Sequence, residues 1–483
     1  MRDSRFVLVF FLVTTFVFAV LNFRTDLEAQ FLAHDPGPRG APVGAGGPVQ
    51  GLTPTQKSFF EDGLSRFLEI DSVGGTLSGE TGRGLGPGFN SNQCASCHSQ
   101  PATGGSSPSR HAFPFIGPNP QVAVANLDGA TNIVPFFVTE DGPVREPRFK
   151  YFLTSPGILP QQRDGGVHNV FTIQGRVDAT NVMGMAGHLQ TCQLAQPDFQ
   201  RMAELNNLSL RIPTPVFGAG LMENIPDATI EANMRSDAAL KRALGISGHP
   251  NRNPNDGTIS RFGWKAQNKS LQLFAAEAYS VEVGVSNEVF PSERGYAPTP
   301  PPPNCLFNPT PEDTTNMDQN HDGPAVPSDV VQFSTFMRYL DQPTPACEGS
   351  GCSPSVKNGR ALFSSVGCAL CHTPSMRTAV SYFGRTLSNI EAKLYSDLLV
   401  HHMGARLADD IVKGNAGPDE FRTAPLWGLG QRVFFLHDGR TQDLVEAIEQ
   451  HASSGSEGGG VVSRYNHLNE NQKQDLLNFL RSL

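Results

Sequence analysis

The pentapeptide Cys-X-X-Cys-His occurs twice, as Cys94-Ala-Ser-Cys97-His98 and as Cys368-Ala-Leu-Cys371-His372. This is the attachment signal for c-type haem. Two thiols at that spacing form thioethers to the two vinyl groups of one porphyrin, and the adjacent histidine supplies an axial nitrogen to the iron. A chain with two such signals has to fold around two porphyrins. The competing uses of the motif fit poorly. A zinc site needs two further ligands at finger-like spacing, and none follows either motif closely. A redox-active Cys-X-X-Cys needs a strand–helix context, whereas Gly and Pro surround both copies. The sequence therefore predicts two covalently bound haem c groups, attached through Cys94, Cys97, Cys368 and Cys371, with His98 and His372 as iron ligands.

The N-terminus points to export. Met1-Arg-Asp-Ser-Arg5 is short and polar, and Phe6 to Leu21 is apolar apart from Thr14 and Thr15. That run suits a signal-peptide core and is short for a span of about 20 residues. Ala19 and Ala29 are the candidate cleavage points, and an uncleaved anchor is the competing reading. Either way the expected location is periplasmic or otherwise extracytoplasmic, with the inner membrane touched only through the N-terminus.

Four cysteines are not claimed by haem: Cys192, Cys305, Cys347 and Cys352. Cys347 and Cys352 flank Glu-Gly-Ser-Gly and can close a small ring, with a loop-entropy gain of roughly 2 kcal/mol. Cys192 is then left to pair with Cys305, and free buried thiols are the alternative. Only 17% of residues are charged, with 49 Gly and 38 Pro, which predicts helices joined by long irregular connections. The formal charge of −9 argues against nucleic acid as a partner.

The chain reads as two related halves. Residues 1–29 form the export segment and 30–50 a Gly/Pro/Ala linker. An N-terminal cytochrome c-like domain spans 51–342 and a C-terminal one 343–483, both mainly α. Thr53 to Glu69 has helical periodicity through Phe59, Phe60, Leu64, Phe67 and Leu68, and Ser355 to Phe363 is its counterpart before the second motif. Ser328 to Leu340 and Asn469 to Leu483 close the halves in the same way. Pro215-Val-Phe-Gly-Ala-Gly220 matches Pro425-Leu-Trp-Gly-Leu-Gly430, each preceded by an arginine, Arg211 and Arg422. Both read as turns passing close to haem. Residues 112 to 210 are a large insertion in the first half, with few regular patterns.

Function is expected where the halves differ. A helix from Gln442 to His451 brings His451 to the far side of the second haem, which with His372 gives a saturated iron suited to electron transfer. Met403 is the rival ligand. The equivalent helix, Asp227 to Ser236, carries no histidine, so the haem held by His98 is expected to keep an open position. His111 and His168 are the alternative ligands there. An open haem with a base nearby can cleave a peroxide O–O bond, the base contributing about 10²–10⁴-fold. Glu223 is the candidate base and Arg211 the candidate partner for an anionic oxygen. Asp318 to Gly323, with Asp329 at the twelfth position, fits the start of a calcium loop.

The order of these pieces resembles the dihaem oxidoreductase family, relatives of bacterial dihaem cytochrome c peroxidases. The residues that carry the likeness are Gly86 to Asn90 before the first motif, Gly104-Gly105 after it, Arg261-Phe-Gly-Trp-Lys265, His402-Met-Gly404, Phe421 to Gly428 and Leu436-His-Asp-Gly439. The resemblance implies peroxide chemistry at the N-terminal haem and electron relay through the C-terminal one. It implies a helix-end ligand that falls on His451, and a tryptophan relay that falls on Trp264. The implied partners are a small electron-donor protein, a cytochrome or a cupredoxin, and hydrogen peroxide or dioxygen. A non-catalytic electron-transfer cytochrome and an oxygenase acting on an organic substrate are the alternatives.

Overall fold

Both motif-bearing units are built on a pair of crossed helices. The computed structural model describes residues 32–40, 42–72, 85, 89–110, 117–125, 132–151, 197–292, 313–315 and 327–483. Helix α1 (Pro54–Leu68) starts at Thr53, whose hydroxyl accepts from the Gln56 amide while the Gln56 side chain returns the contact. A four-residue helix, α2 (Cys94–Cys97), carries the first thiol pair. In the insertion come α3 (Pro120–Ala125), strand β1 (Glu146–Phe149), α4 (Phe199–Glu204) and β2 (Leu208–Arg211). Then follow α5 (Ala219–Glu223), α6 (Asp227–Arg235), α7 (Ala238–Leu244) and α8 (Leu271–Ala278), which runs into a π-helical turn, Tyr279–Val283. Helix α9 (Asp329–Tyr339) closes the first half against α1.

The second half repeats the scheme. Helix α10 (Pro354–Val366) precedes the motif and packs on α13 (Glu470–Leu480). Between them lie β3 (Met376–Arg377), β4 (Glu391–Ala392), β5 (Val400–His402), β6 (Glu420–Arg422), α11 (Leu444–Glu449) and α12 (Gly459–Asn466). The strands form only two-stranded antiparallel ribbons, so the fold is mainly α. The helix closing each half buries one face, Val330, Phe333, Phe336 and Met337 in α9, Leu476, Leu477, Phe479 and Leu480 in α13. Among the described residues no helix is long and apolar enough to cross a membrane.

Glycines show why the two crossings are so close. A Cβ on Gly63 of α1 would run into the Gln332 carbonyl of α9, and one on Gly359 of α10 into the Asp475 carbonyl of α13. The matched turns behave alike: Gly220 abuts the Arg338 carbonyl and Gly430 the Arg481 carbonyl, each at the C-terminal end of the closing helix. Close backbone approach is thus the reason for glycine, and the approach is made to a helix end.

Two expectations need correction. Phe59 and Leu68 do not share the buried face of α1: they are 52% and 43% exposed, while Phe60, Gly63 and Phe67 are buried. Residues adjacent in a helix point about 100° apart, so Phe59 with Phe60, and Phe67 with Leu68, cannot both face inward. The segment expected as a linker is a docked strap. Asp35 ion-pairs with Arg481 at 2.6 Å and caps the first amide of α11 at 2.9 Å, while the Arg39 amide donates to Gly430 and the Val49 amide to Tyr339. The Cys347–Cys352 ring is closed as a disulfide, with Cα atoms 5.1 Å apart. The N-terminal segment, Cys192, Cys305, His111, His168 and Asp318 to Gly323 lie outside the described residues.

Candidate active site

Each attachment histidine faces a cavity and is tethered from behind. The Nδ1 of His98 donates to the Gly105 carbonyl at 3.0 Å, and that of His372 to the Tyr395 carbonyl at 3.0 Å. A carbonyl can only accept, so the proton sits on Nδ1 and the lone pair on Nε2. Burial holds both rings neutral, at about 4. A neutral imidazole with Nδ1–H fixed in this way is the form that ligates a metal. Burial also pushes the Cys97 and Cys368 thiols up to about 12, and Cys94 well above its usual range.

The cavity beside His372 is lined by imidazoles, His372, His401, His437 and His451, with Met403 also on its wall. Helix α11 ends at Glu449, and His451 lies two residues beyond it with Nδ1 donating to the Ala447 carbonyl at 2.7 Å. Its Nε2 is therefore the acceptor nitrogen, as in His372. His401 has a different job. Its two nitrogens donate to Glu457 at 2.7 Å and Asp397 at 2.9 Å. Burial opposes its charge, but Cys371 and Asp397 beside it hold it well above the usual range. Cys371, Asp397 and His401 are the one trio of metal-ligating side chains converging among the described residues, yet both His401 nitrogens are engaged by carboxylates.

The cavity beside His98 is different in kind. Among the described residues lining it, His98 is the only imidazole. The charged groups are Glu146 and Arg148 from β1, Arg211 from β2, and Glu277 and Glu282 from α8 and its π turn. Arg211 is 2% exposed. It ion-pairs through Nη2 with buried Asp409, whose other oxygen binds Lys265 Nζ at 3.0 Å. The Arg211 Nε and Nη1 atoms make no hydrogen bond with any described residue. Buried donors of that kind belong against an acceptor, and a haem propionate or an oxygen ligand would supply one. Two neutral imidazoles with Nε2 free, each next to a thiol pair and facing a cavity, and an unsatisfied arginine in the first cavity are residues that would fit a pair of haems.

Trp264 is the only described residue that lines both cavities. Its indole N–H donates to the Ile212 carbonyl at 2.9 Å and its ring meets His437 edge-on at 6.4 Å. His437 in turn stacks on Phe421 at 4.2 Å, over which Lys265 sits at 4.2 Å.

Glu223 lies elsewhere. It ion-pairs with Arg338 of α9 at 2.8 Å and accepts from the Leu271 amide at 3.1 Å, and it does not line the His98 cavity. The Gly-rich turn before it made it look poised, but α5 turns it toward the neighbouring helices, where it ties α5 to α8 and α9. Asp329, the twelfth position of the calcium pattern, accepts from the Tyr279 hydroxyl at 3.3 Å, and burial with Asp313 nearby pushes it up to about 7. Sequence reasoning missed Glu146, Arg148, Glu277 and Glu282. The alternation Glu146-Pro-Arg148 was the one available signal, and it is too short to read as a strand.

The chain matches the family described as "Di-haem oxidoreductase, putative peroxidase" over residues 168–483. It belongs to that family. Two solved structures are similar in part. One is hydrazine synthase from Kuenenia stuttgartiensis, at 19% identity and a TM-score of 0.23, covering 33% of this chain and 56% of that one. The other is a MauG-like protein associated with microbial copper homeostasis, at 18% identity and a TM-score of 0.24, covering 32% and 52%. The chain thus spans about half the length of each. Among curated proteins nothing matches. This dihaem oxidoreductase is mainly α and carries haem as its redox cofactor.

Proposed function

We infer that the chain is an exported c-type dihaem peroxidase, loaded with electrons through the His372 side and reducing peroxide at the His98 side. Two electrons and two protons convert one hydrogen peroxide to two waters. The haems, when bound, supply the one-electron chemistry. Cys94, Cys97, Cys368 and Cys371 would tether them, and His98 and His372 would ligate the irons. His451 would close the second iron to substrate, with a small cytochrome or cupredoxin as donor outside the cytoplasm. Trp264 stands between the cavities, where an indole can relay an electron.

The observation that carries the reading is the contrast in histidine. The second cavity holds another Nε2 lone pair in His451, whereas the first offers no second imidazole among the described residues. Met337 also lines the first cavity, which would favour the electron-transfer cytochrome. It sits one turn beyond Phe333, which packs edge-on against Phe67, itself edge-on to His98. The test below separates the two readings. The test is a single turnover: fully reduced protein mixed with one equivalent of peroxide should reoxidise at both haems and consume the peroxide. Reoxidation no faster than that of a bis-ligated cytochrome would favour the electron carrier.

A further inference from the structure

We propose that Ala278 is the residue that keeps the first iron open, because it stands in the first half where His451 stands in the second. The proposal rests on the open-iron reading of the His98 cavity and names the side chain responsible.

The halves align through their closing helices. Gly63 and Gly220 abut the carbonyls of Gln332 and Arg338, and Gly359 and Gly430 abut those of Asp475 and Arg481. The two carbonyls are six residues apart in both halves, so Arg338 matches Arg481. Each of these arginines is held by one carboxylate, and that carboxylate also caps a helix. Glu223 ion-pairs with Arg338 at 2.8 Å and accepts at 3.1 Å from the amide of Leu271, the first residue of α8. Asp35 ion-pairs with Arg481 at 2.6 Å and accepts at 2.9 Å from the amide of Leu444, the first residue of α11. The carboxylates have different origins. Glu223 lies three residues past Gly220, whereas Val433 lies three past Gly430, so the second half takes its carboxylate from the strap. Helix α8, and not α6 as the sequence pattern suggests, is thus the counterpart of α11.

Counting from the two clamped amides sets the register. Phe274, Ala275 and Ala278 fall on Ala447, Ile448 and His451, and all six residues line their own cavities. Positions three, four and seven beyond a helix start share one face, so the two helices present the same face to the same kind of cavity. The seventh position is helical in both: Ala278 is the last residue of α8, and the His451 amide donates to the Ile448 carbonyl at 3.0 Å. His451 directs Nδ1 to the Ala447 carbonyl and keeps a lone pair on Nε2. Ala278 puts a methyl group in that place. A methyl has no lone pair for an iron and takes up little of the cavity.

The test is a ligand swap in the holoprotein, with both haems verified by mass. Ala278→His should convert the high-spin signal of the oxidised protein to low-spin. With less than about one-tenth of the molecules left open, cyanide affinity should fall about tenfold or more. Ala278→Leu, which fills space without a lone pair, should stay high-spin. Adding His451→Ala to Ala278→His should restore one high-spin haem and one bound cyanide, now at the second site. Glu223→Gln loosens the clamp on α8, so it should return part of the high-spin signal to Ala278→His and leave the spin state of the otherwise wild-type protein unchanged. If the imidazole variant does not fold, Ala278→Met carries the same expectation with a thioether. Folded Ala278→His or Ala278→Met protein that keeps the wild-type high-spin signal and cyanide affinity would overturn the proposal and leave the open-iron reading standing. A wild type with no high-spin haem in any redox state would remove the reading, and the proposal with it.

Discussion

The two cavities are built on the same helix crossing and the same turn, yet they are furnished oppositely. The His372 cavity gathers four imidazoles and a methionine, and the His98 cavity gathers glutamates and arginines. The shared parts, Gly63 with Gly359 and Gly220 with Gly430, settle where a porphyrin can be held. The unshared parts settle what its iron can do. A cavity that supplies a second lone pair closes the metal, and one that supplies protons and cations leaves it to a ligand from outside. On the proposed function, furnishing one wall differently is what separates electron transfer from chemistry.

The contrast can be broken outright at His451. Replacing it with glycine should give the second cavity the open position of the first. The low-spin signal of that haem should disappear, a second cyanide should bind, and the potential should move by on the order of 0.1 V within the roughly 0.8 V that axial ligands span. Retention of the low-spin signal would assign the ligand to Met403 instead.

Asp409 joins the two sides, since Arg211 lines the first cavity and Lys265 sits over Phe421, which stacks on His437 of the second. Asp409→Asn strands two buried cations and should cost about 3–5 kcal/mol in urea unfolding of the holoprotein. It should also perturb the spectra of both haems rather than one.

Acid should loosen the second cavity through Glu457. Burial pushes this carboxyl up, but the bond and charge of His401 and the Ser247 contacts outweigh it and hold it at about 2, against 4.5 for a free glutamate. A carboxyl depressed by folding stabilises the native state above pH 4.5 and loses that contribution as the pH falls toward 2. The loss should amount to about 3 kcal/mol, and Glu457→Gln should flatten that limb of a melting-temperature profile.

The smallest effects sharpen the common frame. Gly63→Ala and Gly359→Ala should each cost about 1–3 kcal/mol by overpacking their crossings. Each should loosen the haem of its own half, read from its spectrum, and leave the other alone.

The attachment motifs, the helix pairs, the matched turns and the Cys347–Cys352 ring were legible because each is a local pattern of spacing. The placement of Trp264 followed from a motif block, and His451 from a helix end. The acidic wall was not legible. Glu146 and Glu282 reach one cavity only through the tertiary fold, one on a four-residue strand and the other in a π turn, and neither element has a period to read. Glu223 drew attention because it follows a glycine-rich turn, and its fate was decided by Arg338 on a helix 115 positions away. The strap from Asp35 to Val49 read as a linker because Gly and Pro punctuate it, while its hold on both halves comes from one buried carboxylate and a few backbone amides.

The most direct test of unequal irons is a spin count by electron paramagnetic resonance on the oxidised holoprotein, before and after cyanide. One high-spin and one low-spin haem at equal intensity are expected, with cyanide converting only the high-spin signal. Two low-spin haems in every redox state, or two that both take cyanide, would contradict it.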